Sequence, residues 1–463
     1  MLWVHGLAGS GKSTLSTTIA NLLRNDKQLG AFLFFDRDVT ERSDPTVVIR
    51  TLAYQLASSN QRIRAAICAV LEEDSNISLS ALSRQFRKLI VEPISTIANY
   101  RPTIVIILDA LDECGAPANR RALLDVVAKE FAVLPSYFRT IVTSRAESDI
   151  YDALNFPSHV LPYELDIKSH VNYDDILLYI RHHMSLMRIK NRHLQLSPSW
   201  PGEEILCQLV EQASGLFIWA STVCEFINGY DPTERLEVIL RAEVTSGAQA
   251  ALDALYRTAL VSIGHWDDKS FISDFRNVMG MILVTRQPLC STVIDTLLQL
   301  PKNRPSMHVI SLLGCVLQQG PTIRVLHPSF TDFLMDEERC GRDIWFFNPS
   351  IYHQQLAFCC LDRMDATLTQ NMCNIILDDW VKKERSMLPD ASYACLFWID
   401  HICTSTNDIT TILDHVYRFL HQHLLHWFEA MSILNRAKDT ISLLNKLFAW
   451  AKVSLSPLIY NSV

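Results

Sequence analysis

The segment His5-Gly6-Leu7-Ala8-Gly9-Ser10-Gly11-Lys12-Ser13-Thr14 restricts the fold more than any other part of the chain. An apolar run, Leu2 to Val4, precedes it and an amphipathic stretch, Leu15 to Leu23, follows, so it reads as the loop of a strand-loop-helix unit. Gly6, Gly11, Lys12 and Ser13 satisfy the spacing GxxxxGK[ST]. Glycines let the backbone curl round an anion so that successive N–H groups, Gly9 and Ser10 among them, point inward, and the helix opening near Lys12 adds its positive end. In that pattern Lys12 reaches the β- and γ-phosphates as a point charge and the Ser13 hydroxyl ligates Mg²⁺. Thr14, one place later, is counted with the nucleotide-binding residues, although capping or packing suits its position better.

A second element makes the loop part of a sheet edge. Thr103 to Leu108 is a continuous apolar run, as expected for a central parallel strand covered on both faces, and it ends at Asp109, followed by Ala110, Leu111, Asp112 and Glu113. A carboxylate at that end lies where ligands of open α/β sheets bind and is placed to hold Mg²⁺, and three acids so close together call for a compensating cation. Phe138 to Thr143 is a further strand, whose end would present Thr143 and Arg145 to a γ-phosphate. Gly30 to Phe35 and Val160 to Leu165 read as strands, and Pro45 to Ser58, Gln61 to Leu71 and Leu79 to Ile90 as helices. Arg37 is expected in a solvated turn. The recurrent alternation predicts an α/β P-loop NTPase domain, a parallel sheet in three layers.

Composition narrows the setting. The 463 residues suggest roughly two to four domains. A net charge of -8 gives no general attraction to nucleic acid or anionic membranes. Twelve scattered cysteines without CxxC or Cys/His spacing read as reduced thiols, and no apolar run approaches the roughly 18 to 20 residues of a membrane span. The expectation is a cytoplasmic protein.

GLAGSGKS, IVIILDALDE and IVTSR together resemble the NACHT branch of the STAND class of signal-transduction NTPases, especially fungal NLR-like members. The resemblance implies ATP/ADP and Mg²⁺ as ligands, phosphate binding by Lys12 and Ser13, ion organisation by Asp109, water orientation by Asp112 and Glu113, and a sensor role for Arg145. Glu211 to Ala220 resembles the family's opening of a helical domain; relatives often place a proline beside the base where this chain has Phe217. Leu252 to Tyr256 resembles the helix leading to a winged-helix domain, and Leu326 to Leu334 the segment whose histidine reaches the bound diphosphate, here His327. The implied layout is a P-loop (NACHT) domain over 1–168, a helical domain over 169–250, a winged-helix-like domain over 251–343 and an all-α region over 344–463. Arg257 to Cys340 carries eight basic and eight acidic residues, so base-reading by the winged helix is not expected.

Elsewhere, Asp174 to Ile189, Ile205 to Gln212 and Leu236 to Val244 read as helices, with Arg235, Glu237, Arg241 and Glu243 on a solvated face and His182 and His183 at the surface. Tyr352 to Leu361, Asn371 to Trp380, Tyr393 to Ile402, Ile409 to Trp427 and Ala430 to Val453 can also be helical. His401, His415, His421, His423 and His426 are read as core and surface histidines rather than metal ligands. The expected function is an ATP/ADP switch with slow Mg²⁺-dependent hydrolysis, self-associating on activation by a trigger the residues do not name. A P-loop kinase and a nucleotide-binding scaffold without turnover stay open; a GTPase fits less well, for lack of an NKxD stretch. Five residues before the loop are read as the sign of a truncated gene model or of a switch whose output domain belongs to another protein.

Overall fold

The computed structural model describes residues 1–97, 103–241, 247–341, 344–372, 387–406 and 408–460, with backbone alone for 456–460. Two compact units divide the chain, Met1–Leu255 and Tyr256–Val463. The expected helix over Asn371 to Trp380 and the end of that over Leu236 to Val244 fall largely outside the described residues.

The first unit is built on a five-stranded parallel sheet of β1 (Leu2–His5), β2 (Leu29–Phe34), β3 (Ile104–Asp109), β4 (Phe138–Ser144) and β5 (Leu161–Glu164), in the order β2-β3-β4-β1-β5. Strand β3 is buried at every position. Its alternate residues serve two cores: Ile104, Ile106 and Leu108 join Trp3, Leu33, Leu52 and Phe86 on one face, while Val105 and Ile107 pack with Ala20 and Ile19 of α1 (Lys12–Asn25) on the other. Apolar residues on both faces account for the unbroken run in the sequence and give the three expected layers. Register matters for function. His5 pairs with Ser144 and Leu108 with Val142, so the loop after β1, the acids after β3 and the residues after β4 leave the sheet along one edge.

Beyond the sheet come α2 (Val48–Ser59) and α3 (Gln61–Glu73), then α4 (Pro117–Asp125), α5 (Ser148–Leu154), α6 (His170–Lys190), α7 (Glu203–Ala213), α8 (Phe217–Ile227) and α9 (Pro232–Arg241). Leu82 to Ser95, expected as part of one helix, winds as α-helix, a π turn and a further α turn. Arg235 does not lie on a solvated face. Its Nη1 donates to the Phe226 carbonyl at 2.8 Å and its Cζ lies 5.0 Å from the Phe226 ring centre, in space that a side chain at Gly229 would occupy. The helix α10 (Ala248–Val261) contains the expected Leu252 to Tyr256 segment.

The second unit contains α11 (Lys269–Val284), α12 (Ser291–Leu297), α13 (Met307–Leu312), an antiparallel pair of β6 (Leu317–Gln318) and β7 (Arg324–Val325), and α14 (Pro328–Leu334). Leu289 forms an antiparallel bridge with Ile323. Four longer helices follow: α15 (Pro349–Thr367), α16 (Pro389–Thr404), α17 (Ile409–Ile433) and α18 (Asp439–Tyr460). Close approach of α15 to α11 rests on Gly280, where a Cβ would lie 2.0 Å from Tyr352 Cδ1.

A buried polar chain ties α15 and α16 to the end of α11. Tyr393 Oη accepts from the Arg286 N–H at 3.1 Å and lies 2.8 Å from His401 Nε2 and 3.0 Å from Thr285 Oγ1, whose single proton also faces the Gln287 carbonyl at 2.9 Å. His401 Nδ1 lies 2.8 Å from His353 Nδ1, so one of these two nitrogens donates and the other accepts. Burial keeps both rings neutral near neutral pH. Burial pushes the His353 imidazole down to about 3, with the Arg286 charge adding to it, and pushes His401 well below its ordinary range. The unfolded chain binds these protons near pH 6.5 and the folded one does not, so stability is present above that pH and lost as pH falls, by about 1.4 kcal/mol per histidine per unit. Unfolding followed at pH 7.5 and 5.5 should show that loss. The variant His401→Gln should remove roughly half of it.

Candidate nucleotide-binding site

The loop after β1 turns at two of its glycines. Gly9 (φ 77°) and Gly11 (φ 92°) are left-handed, a conformation costly for residues with a Cβ. Gly9 is required for a second reason: a Cβ there would lie 1.9 Å from Ile218 Cγ2, and the Ile218 N–H donates to the Gly9 carbonyl at 3.1 Å. The start of α8 thus seats directly on the loop. Ser10 is buried beneath it, and the Lys12 ammonium donates to the Gly6 and Leu7 carbonyls, each at 2.8 Å. Burial lowers the Lys12 ammonium to about 8, opposed by Asp112 and, more weakly, by Asp109 and Glu113, while Arg145 lowers it further. These five charged groups therefore share one electrostatic site.

Asp109 is fully buried at the end of β3. The Thr143 hydroxyl donates to its Oδ1 and accepts the Ala110 N–H at 2.9 Å, which fixes the carboxylate. Its other oxygen, Oδ2, is buried without a hydrogen-bond partner. Ala110 turns the chain in a left-handed conformation (φ 60°, ψ 47°) that a larger or β-branched residue would tolerate poorly. After this turn the two acids part. Asp112 accepts the Arg145 N–H at 3.0 Å and pairs with Arg145 Nε at 3.2 Å. Glu113 is raised to about 7 by burial, with Arg37 opposing and Asp112 adding to the rise, and its Oε2 accepts the Arg37 N–H at 3.3 Å. Arg37 is thus part of the site's surroundings, nearer to the weaker of the two readings of its turn, toward phosphate, than to the solvated default.

The expected residues Gly6, Gly9, Ser10, Gly11, Lys12, Ser13, Asp109, Asp112, Glu113 and Arg145 converge on this edge. Phe217 is brought to it as well, since a Cβ at Gly11 would lie 3.5 Å from Phe217 Cδ2. Thr14 is exposed and caps nothing; α1 is capped by Gly11 with no side-chain bond, and the Thr14 carbonyl takes the Thr18 hydroxyl. His327 belongs to the second unit. There its Nδ1 accepts the Ser329 N–H at 3.2 Å and lies 2.7 Å from Ser329 Oγ, which bonds Tyr256 Oη at 2.8 Å. That acceptor role puts the ring proton of neutral His327 on Nε2. Two participants escaped the sequence: Thr143 as the partner of Asp109, and the buried Arg120. Thr143 was expected on this edge facing a γ-phosphate rather than Asp109, and Arg120 was only one of two adjacent arginines.

The donors suit a divalent cation that prefers oxygen. Asp109 Oδ2 is a buried carboxylate oxygen lacking a partner, and Ser13 stands in the first turn of α1, directly after the loop. Asp109 and Ser13 would hold Mg²⁺. Thr143→Val, which removes the hydroxyl at constant shape, should raise the Mg²⁺ concentration needed for half-maximal nucleotide binding several-fold. It should also destabilise the chain by about 1–3 kcal/mol, through the stranded Ala110 N–H and Asp109 Oδ1. Unchanged Mg²⁺ dependence would contradict the fixing role.

Residues 1–145 match the family model described as Nephrocystin 3, N-terminal. The chain is 23% identical to the vegetative incompatibility protein HET-E-1 of Podospora anserina over 484 aligned positions, covering 96% of this chain and 34% of that protein. It therefore spans about a third of the length of that relative. Among solved structures, a STAND ATPase with a tetratricopeptide repeat sensor from Pyrococcus horikoshii superposes with a TM-score of 0.43 and 13% identity, over 98% of this chain and 56% of the other. No helix among the described residues is long and apolar enough to cross a membrane. The chain is thus similar to the Nephrocystin 3 N-terminal family over residues 1–145 and to HET-E-1 over most of its own length.

Proposed function

We propose that the chain is an ATP/ADP-dependent signalling switch that hydrolyses ATP slowly. The observation that carries this reading is the sharing of one sheet edge by Lys12, the buried Asp109 with its unpartnered oxygen, and Glu113, whose carboxyl accepts the Arg37 N–H. Lys12 and the loop N–H groups bind the phosphates; Asp109 and Ser13 hold Mg²⁺, which would neutralise charge on the phosphate oxygens. Glu113 takes the proton of the attacking water. Asp112 keeps Arg145 oriented as the γ-phosphate sensor, a division of labour finer than a pair of acids acting alike. Phe217 offers an apolar surface beside the loop for the base.

The proposed division is a NACHT domain over 1–168, a helical domain over 169–250, a winged-helix-like domain over 251–343 and a helical region over 344–463. Support for the third comes from three helices, two of them short, followed by an antiparallel strand pair and a bridge from Leu289, the elements a winged helix needs. His327, with its Nε2 proton, is the proposed donor to a bound diphosphate in the closed state. A nucleotide moves such an equilibrium only by binding one state more tightly than the other. In keeping with the name of HET-E-1, the proposed setting is a fungal incompatibility or non-self response in the cytoplasm, with self-association as the output.

The test is to purify the chain without added nucleotide, identify what it carries, exchange it and measure oligomeric state. Carried ADP and assembly on exchange to ATP are expected; a monomer indifferent to either nucleotide would overturn the switch. The variant His327→Ala should release ADP faster while ATP affinity is kept. Equal losses of both nucleotides would reject the latch.

A further inference from the structure

Arg120 is among the largest side chains fully buried in the molecule, yet it carries a charge and lies outside every motif of the phosphate loop and its acids. It stands in the first turns of α4, which Pro117 opens. Nη1 donates to the Asp112 carbonyl at 2.7 Å and to the Gly115 carbonyl at 3.3 Å, both in the acidic turn after β3. Nε and Nη2 grip both oxygens of Asp149, at 2.7 and 2.8 Å, and Nη2 also reaches Glu147, both in the segment after β4. One planar guanidinium therefore bridges the two loops that carry Asp112, Glu113 and Arg145. The Asp112 carboxylate makes the second bridge, through the Arg145 N–H and Nε.

Burying a charge is costly unless it is fully paired, and an apolar side chain could have filled the same space. What the guanidinium provides, and an apolar residue would not, is a fixed angle between two carbonyls and two carboxylates. We infer that Arg120 is a positioning residue for hydrolysis: it locks the acidic turn to the end of β4, so that Glu113 and Arg145 keep one arrangement about the phosphate loop. This rests on the hydrolytic reading above. Glu113 faces Arg37 and Asp36 from the end of β2, Asp112 from its own turn and Lys12 from the loop. Its burial among them depends on where the turn is held.

The test compares wild type with Arg120→Lys, which keeps the charge but loses the fork, and with Asp149→Asn, which keeps the shape and removes the bidentate partner's charge. Each variant is measured for nucleotide affinity, single-turnover hydrolysis between pH 5.5 and 8.5, and amide exchange by mass spectrometry. Expected are nucleotide affinity within about threefold of wild type and turnover lowered at least about tenfold. The acid limb should move below its wild-type position near neutrality, and exchange should quicken in 111–115 and 145–149 together while that of the phosphate loop is unchanged. Turnover within twofold and an unmoved acid limb would overturn the inference, as would affinity and turnover falling in parallel, the mark of a general structural role. Glu113→Gln run alongside separates the two levels. If that variant loses turnover and the Arg120 variants do not, only the inference fails; if it does not, or if wild type shows no turnover, the hydrolytic reading fails and takes the inference with it.

Discussion

Replacing Lys12 by Ala is expected to weaken ATP and ADP binding by about two to three orders of magnitude, the cost of removing one member of a buried charge pair. The ammonium stands at the mouth of the loop, 2.8 Å from two of the loop's own carbonyls, and burial has already brought it down to about 8. Phosphate oxygens would compete for those donors and draw the ammonium back to its charged form. Affinity in the wild type should therefore be flat below pH 8 and fall above it, as the free chain loses the proton that the complex needs. Titration calorimetry with both nucleotides, on wild type and variant, gives the two readings together. Wild-type affinity in the variant would remove Lys12 from the site. The fold should survive, since the substitution frees only two carbonyls on a partly exposed loop.

The sheet and its ligand edge were legible because their residues obey local rules. Thr103 to Leu108 reads as apolar throughout since both of its faces are covered, and the loop must carry glycine where φ is positive. The rest of the site was hidden by contacts between residues far apart in sequence. Thr143 meets Asp109 across 34 positions and Arg120 meets Asp149 across 29, and no periodicity within a strand or helix records either pairing. Gly9 illustrates the same division: its left-handed turn follows from the motif, whereas its intolerance of a Cβ comes from Ile218, two hundred residues away. The histidines of the C-terminal helices were separable only as core or surface. That His353 and Tyr393 meet the two ring nitrogens of His401 in the core is information no linear pattern contains.

The second large effect is expected at Glu113. Its neighbour Asp112 is committed to Arg145, so of the two acids after Ala110 it is Glu113 that is placed to exchange a proton. Burial raises it to about 7, where a carboxylate accepts a proton from water far better than at its ordinary value while still being ionised in half the molecules at neutrality. The variant Glu113→Gln keeps the size and an oxygen for the Arg37 N–H but cannot take a proton. Nucleotide affinity should stay within about twofold, and turnover should fall by about two to four orders of magnitude. The wild type supplies an independent check, since its turnover should rise about tenfold between pH 6 and pH 8 and the residual rate of the variant should not. Asp112→Asn should differ in kind: it releases Arg145 from its counter-ion, so binding of ATP and turnover should both change. If Glu113→Gln turns over like the wild type while Asp112→Asn does not, the roles of the two acids are the reverse of those argued here.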